Sequence, residues 1–351
     1  MKISQMIQRE DFYSVNEQTL ASFYRHEDGA SRMFVYPHIN AIITKRPTKA
    51  VKTFLYREFA VRSHLFKRLL VKGYTCACVN SMGLLADKRI EVPAHVADST
   101  LIYPCNKKYR IFDFDQKTVS VVVKKGFPTH YFQHEIAFRS REDLPAFVAP
   151  LLQYDENGYC EAIIDGCSLA RVQTDYDACR DKAYEMFFAY AAQFRRCIDR
   201  ETYISCLRQQ MDELAIALPH VNHDRLHRVA DALTARIDVD TLELVFSHGD
   251  LQAGNVWIEI GTNAMYIIDW ESWGERSVWY DRATLYHGLR PAGIAAFLRS
   301  SVPDGQKRIV TMEDIVNVLR ELNNLPPECV QDQLDAYLAD VEAWLTSSAN
   351  E

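Results

Sequence analysis

The hydrophobic pattern of this chain changes period once, and that change limits the folds open to it. Before about Ser168 the apolar runs are short, rich in β-branched and aromatic residues, and separated by turn signals. Residues 109–113, YRIFD, and 118–125, TVSVVVKK, are separated by FDQK and predict an antiparallel hairpin. PTHYFQHEIAFRSRED then carries helical spacing, with Phe132, Ile136 and Phe138 inward, and FVAPLLQY and YCEAIIDG flank the turn signal DENG at 155–158. The order is strand, strand, helix, strand, strand. Downstream, DACRDKAYEMFFAYAAQFRRCIDR reads as one long helix and DRLHRVADALTARI as another, interrupted by strand character only in LELVFSHGD, NVWIEI and AMYIID. A small sheet-and-helix lobe therefore precedes a larger, mainly helical one.

Composition narrows the class. With 351 residues, 48% hydrophobic and 25% charged, the chain can bury one large core or two modest ones. A net charge of −7 argues against a nucleic-acid-binding protein, which would present a strongly basic face. The nine cysteines lack a repeated spacing, and Cys76 and Cys78 have no partners at zinc-finger distances, so reduced thiols are expected. Met1 opens no charged-then-apolar leader, and no window reaches the roughly 20 apolar residues of a spanning helix. The expected compartment is the cytoplasm.

The first hundred residues differ from the rest. From Lys45 to Lys72 there are nine Lys/Arg against the single acid Glu58. Within TFLYREFAVRSHLFKRLLV, helical spacing gathers Phe54, Leu55, Phe59, Leu65, Phe66, Leu69 and Leu70 on one arc, which predicts a basic amphipathic helix ending near Gly73. Such a helix commonly docks its apolar face on a neighbouring domain; the alternative is peripheral contact with an anionic membrane.

The chemistry concentrates at HGDLQAGN, residues 248–255, and at Asp269 in YIIDWE. VWIEI, the turn residues GTN and AMYIID form a short hairpin that brings Asn255 and Asp269 to one end, with Asp250 on the loop feeding it. Phosphoryl transfer needs a carboxylate to accept or orient a hydroxyl proton, and oxygen ligands to hold Mg²⁺ on the nucleotide phosphates. Asp250, Asn255 and Asp269 supply those parts.

These motifs resemble the catalytic loop and metal-binding segment of aminoglycoside phosphotransferases, choline kinases and related small-molecule kinases of the protein kinase-like superfamily. The resemblance implies Asp250 as catalytic base, Asn255 and Asp269 as Mg²⁺ ligands, His248 as a structural loop residue and Asp281 in WYDRATL as the acid bracing the loop. It also implies an α+β, bilobal protein kinase-like fold, with a β-rich nucleotide-binding N-lobe at 101–165 and a helical catalytic C-lobe at 166–351. A helical N-terminal extension would occupy 1–100. Trp270 and Glu271 stand where protein kinases carry the Phe and Gly of Asp-Phe-Gly, which points away from ordinary protein kinases.

Nucleotide-binding lobes of this kind hold the phosphates with a strand lysine that a helix glutamate fixes. VVVKKGF ends a strand and Glu135 lies on the next helix. Alternation lets only one of Lys124 and Lys125 enter the site, and the apolar-apolar-Lys context selects Lys124. No GxGxxG occurs; 104–110 reads PCNKKYR, where Lys107, Lys108 or backbone amides would cradle phosphates or the lysines would only be solvated. Backbone groups from Glu161 to Ile164, Ile163 among them, would meet the adenine edge.

The function expected is ATP- and Mg²⁺-dependent transfer to a hydroxyl of a small molecule, sugar or lipid-linked saccharide. A protein Ser/Thr kinase is disfavoured, because no Ala-Pro-Glu follows IIDWE and HGD replaces His-Arg-Asp. A pseudokinase binding module is the reading of another class. Asp175, Asp177, Asp181, Asp212 and Glu213 would line an acidic acceptor cleft or merely a solvated face.

Overall fold

A computed structural model describes residues 12–24, 29–59, 65–105, 107–218, 221–323 and 327–347. The chain divides into two compact units, the first running to Tyr176 and including Gly254–Glu271, the second comprising Asp177–Ala253 and the chain from Ser272.

The first unit is built on an eight-stranded antiparallel sheet. In chain order its elements are α1 (Phe12–Phe23), β1 (Ser31–Tyr36), β2 (Ala41–Ile43), α2 (Lys49–Glu58), α3 (Leu65–Asn80), β3 (Lys88–Val92), β4 (Thr100–Pro104), β5 (Lys108–Asp113), β6 (Thr118–Val123), α4 (His130–Arg139), β7 (Leu151–Tyr154) and β8 (Gly158–Ala162). The sheet order is β3-β1-β2-β4-β5-β6-β8-β7. One face packs Phe112, Val119 and Val121 against Val51 and Leu55 of α2 and Phe132 and Ile136 of α4. The other packs Ile102, Tyr109 and Ile111 with Leu20 of α1. A β-strand alternates its side chains between faces, so neighbours in sequence belong to different cores. A small sheet completes the unit: β9 (Gly166–Ser168) pairs with β12 (Val256–Glu259), which forms the expected hairpin with β13 (Met265–Ile267).

The second unit carries a three-stranded sheet of β10 (Arg196–Asp199), β11 (Thr241–Ser247) and β14 (Gly274–Ser277). Its helices are α5 (Tyr176–Ala191), α6 (Arg200–Ile216), α7 (His223–Thr234), α8 (Tyr280–His287), α9 (Ile294–Leu298), α10 (Asp304–Leu322) and α11 (Pro327–Ser347). Met211, Leu226, Leu233, Ile315, Leu319 and Leu338 belong to their common core. One unit built on sheets with flanking helices and one mainly helical unit give the α+β class that the sequence predicts.

Three expectations need correction. Residues 1–100 are not a separate helical extension, because β1, β2 and β3 belong to the main sheet, with Ile42 of β2 opposite Ile102 of β4. The buried part of β1 and all of β2 are apolar on both faces and lack the alternation that marks a half-buried strand, whereas β3 alternates, with Ile90 and Val92 buried and Arg89 and Glu91 exposed. The long helix expected over 177–200 stops at Ala191; Arg196–Asp199 instead pairs with β11, Cys197 opposite Glu243. The amphipathic helix expected to end near Gly73 is two helices, and α3 runs through Gly73 to Asn80. Leu55 is buried and Phe54 and Phe59 pack on the core, but Leu65, Phe66, Leu69 and Leu70 are exposed, so docking of the whole arc does not hold.

Candidate active site

In the first unit, the register of β5 builds the site. Lys108, Arg110 and Phe112 alternate with Tyr109 and Ile111, which places Lys108 on the face where Phe112 and Phe132 share a core. Lys108 is 4% exposed, and its ammonium bonds the Asp269 carboxylate while lying 3.8 Å from Glu135 Oε2 and 3.6 Å from Glu271 Oε2. Burial alone would lower the lysine pKa, but Asp269, Glu271 and Glu135 outweigh it and hold the group well above its ordinary value. Lys108 is therefore a buried cation held by three carboxylates.

Glu135 is itself fixed. Its Oε1 accepts from Tyr159 Oη at 2.9 Å and from Arg139 Nη1 at 3.2 Å, and Arg139 Nη2 bonds Glu161 Oε2 at 2.5 Å. Oε2 of Glu135, facing Lys108, has no hydrogen-bond partner among the described residues. The lysine paired with the helix glutamate is thus Lys108, on the strand beside the one expected to supply it. Lys124 follows β6 in phase with Val122, which packs on the opposite core, and its ammonium lies 5.0 Å from the centroid of Tyr109 in that core. That phase turns Lys124 away from α4, contrary to the assignment from its apolar-apolar-Lys context.

The other expected nucleotide contacts fall out as follows. Lys107 stacks over Tyr131 at 4.0 Å and lies 3.7 Å from Glu271 Oε1. Glu161 is 7% exposed, and its carboxylate is taken by Arg139, so it braces α4. The Ile163 amide donates to Lys117 O at 2.9 Å, which leaves the carbonyl as its group for an adenine edge.

Asn255 and Asp269 flank one end of the β12–β13 hairpin, with Val256 opposite Ile267 and the Ile268 amide donating to Asn255 O at 2.9 Å. Asp269 has φ +73°, a left-handed conformation that a non-glycine residue keeps only where its surroundings hold it. The next residue supplies the hold: Trp270 is fully buried, donates from Nε1 to Ile267 O at 2.8 Å, and packs on Phe138 of α4 at 4.6 Å. An amide oxygen and a carboxylate at one hairpin end fit Mg²⁺, a hard cation usually bound through one or two carboxylates plus substrate phosphates.

In the second unit, Asp281 organises the HGD loop. Its two oxygens accept the amides of His248 at 3.0 Å and Gly249 at 3.1 Å, and His248 Nδ1 accepts the Asp250 amide at 3.2 Å. Burial raises the Asp281 pKa, opposed by His248 and Arg276. Gly249 has φ +79°, and a Cβ there would meet Ser272 O at 2.1 Å. Glycine is therefore required where protein kinases place arginine. Asn317 of α10 donates to Gly249 O at 3.3 Å and steadies the same turn.

Arg290 is the residue that sequence reasoning missed. Its Nη2 meets both oxygens of Asp250, at 2.5 and 2.6 Å, and Gln252 Nε2 adds a contact at 3.2 Å. Nothing in LRPAG distinguishes this arginine from a solvated one before the turn after α8 is known. Asp177 and Asp181 are paired with Arg180, and Asp212 lies beside His227, so these acids belong to local surface pairs.

Comparison with known proteins gives a family match over part of the chain. Residues 154–309 match the model of the phosphotransferase enzyme family, a span that includes Asp250, Asn255, Asp269 and Asp281. The resemblance drawn from HGDLQAGN and IIDWE is borne out over that span. Among solved structures, it is similar to aminoglycoside 2'-phosphotransferase-IIIa in its GDP complex, at 15% identity over 70% of this chain and 91% of that one, TM-score 0.46. It is also similar to choline kinase LicA from Streptococcus pneumoniae, at 14% identity over 72% and 92%, TM-score 0.45. An ethanolamine kinase from Plasmodium vivax is similar at 10% identity over 87% and 95%, TM-score 0.39. No curated protein matches the chain.

Proposed function

We propose that the protein transfers the γ-phosphoryl group of ATP, with Mg²⁺, to a hydroxyl of a sugar or lipid-linked saccharide in the cytoplasm. The observation that carries the reading is the bracing of the HGD loop, in which both Asp281 oxygens fix the backbone that presents Asp250. A carboxylate so held can take or orient the acceptor's proton without reorganising. Lys108, fixed by Glu135, would bind the nucleotide phosphates, and Asn255 and Asp269 would hold the metal. Bound Mg²⁺ neutralises charge developing on the transferred group. Arg290 covers both oxygens of Asp250, so an acceptor hydroxyl must displace one of those contacts. An acceptor bearing a phosphate, as lipid-linked saccharides do, offers the guanidinium a replacement anion. Peripheral contact with an anionic membrane belongs to the same reading, because such acceptors are presented there.

Asp250→Asn tests the assignment, since it keeps the side chain's size and removes its charge. Nucleotide affinity measured by calorimetry should survive, while transfer falls by about 10² to 10⁴. Near-normal transfer by this variant would overturn the mechanism, and loss of nucleotide binding would show that Asp250 serves the nucleotide instead.

A further inference from the structure

We infer that the outward face of α3 is a docking surface for an anionic lipid bilayer. The inference deepens the membrane contact in the reading above, but it is measured without acceptor or nucleotide.

Helix α3 is anchored at one side only. Thr75, Cys78 and Val79 are buried against the first unit. At the helical period, Leu65, Phe66, Leu69, Leu70, Gly73 and Ala77 fall on the opposite arc. The large side chains of that arc are exposed: Leu65 68%, Phe66 74%, Leu69 59% and Leu70 57%. Leaving four large apolar groups in water is costly, and their contiguity marks a surface meant to be covered.

Charge identifies what covers it. Lys72 borders the arc on one side, with Arg68 one turn before it and farther round toward the anchored face, and Lys67 and Tyr74 border it on the other. All three cations are exposed, and the sequence holds no acid between Glu58 and Asp87. In a chain of net charge −7, this is a local reversal of sign. Lysine and arginine stems at the border of an apolar face can lie along acyl chains while their heads reach anionic headgroups. A second copy would bring the same cations face to face across a two-fold axis, which opposes self-association. The 16 residues of α3 span about 24 Å, and no described helix is long and apolar enough to cross a membrane, so α3 would lie in the plane of the surface. Leu84 and Leu85, just after α3, are 80% and 54% exposed and lengthen the apolar segment.

Flotation of the full chain with vesicles of phosphatidylcholine containing about a third phosphatidylglycerol tests this. Wild type should float with these vesicles and not with pure phosphatidylcholine. Each basic group near an anionic surface contributes about a factor of five, so the double variant Arg68→Glu/Lys72→Glu should lower partitioning at least about 25-fold. Raising salt should act in the same direction. Leu69→Asp/Leu70→Asp should abolish flotation and leave the melting temperature unchanged, because the side chains replaced are exposed. Absence of wild-type flotation would overturn the inference. So would equal binding to neutral vesicles, a dimer abolished by Leu70→Asp without flotation, or a lower melting temperature in the leucine variant.

Discussion

Replacing Lys108 by methionine separates the two lysines that compete for the nucleotide. The substitution keeps most of the stem and removes the charge beside Asp269, Glu135 and Glu271. At the 3.6 and 3.8 Å separations to Glu271 and Glu135, each gross attraction is roughly 4–5 kcal/mol at an effective dielectric of 20. Much of that is offset by the desolvation the folded lysine bears, and removing one partner of a buried ion pair costs about 3–5 kcal/mol. The lower end applies, because Glu135 keeps Tyr159 and Arg139 as donors. A loss of about 3 kcal/mol corresponds to a fall of roughly 6–12 °C in melting temperature for a unit of this size. The pKa of Lys108 is raised on folding, so its stabilisation is fully present below the unfolded value and is lost only as pH climbs through the folded one. The difference between wild type and variant should therefore be constant from pH 7 to 9. Where the variant remains folded, Mg·ATP-dependent transfer should drop by about 10² or more, as for loss of one fixed charge-stabilising donor. Lys124→Met, which alters a group over Tyr109 in the other core, should leave nucleotide affinity near wild type. Calorimetry and thermal melts on both variants decide the matter. Loss of nucleotide binding in Lys124→Met with retention in Lys108→Met would refute the assignment.

Two further outcomes follow from the second unit. Arg290→Gln frees both oxygens of Asp250, so acceptor KM should rise more than kcat falls, and a preference for phosphate-bearing acceptors should disappear; an unchanged acceptor profile in steady-state kinetics would remove Arg290 from acceptor selection. Asp314 is fully buried between Tyr337 and Tyr280 and its pKa is pushed up to about 7, chiefly by burial, so its protonated form stabilises the fold at low pH and that contribution is lost as pH rises through 7. Asp314→Asn, neutral at every pH, should accordingly flatten the decline in stability between pH 5 and 8 by up to about 3 kcal/mol, read as urea melts at both pH values.

Legibility from the sequence tracked how much of each feature was local. The β5–β6 and β12–β13 hairpins each have a short turn and pair residues close in sequence, so strand pattern and turn chemistry sufficed to find them. Asp281 was found because its motif stands in a fixed order after IIDWE, and it accepts the two loop amides expected of a brace. Lys124 was misassigned because TVSVVV puts valine on both faces of β6, which erases the alternation that would have shown Lys124 in phase with Val122. The same alternation was legible one strand earlier. Lys108, Arg110 and Phe112 are in one phase, and a strand that sends two cations and a phenylalanine to one side needs acids there. Glu271 was noticed only as a replacement for glycine, yet it is one of those acids. Arg290 and α3 mark a different boundary. Their partners are set by a turn after α8 and by the one-sided anchoring of a helix, contacts distant in sequence that no local period encodes. The basic composition of residues 45–72 predicted the charge of α3, but the apolar arc was expected to be buried, and its exposure is what makes the charge informative.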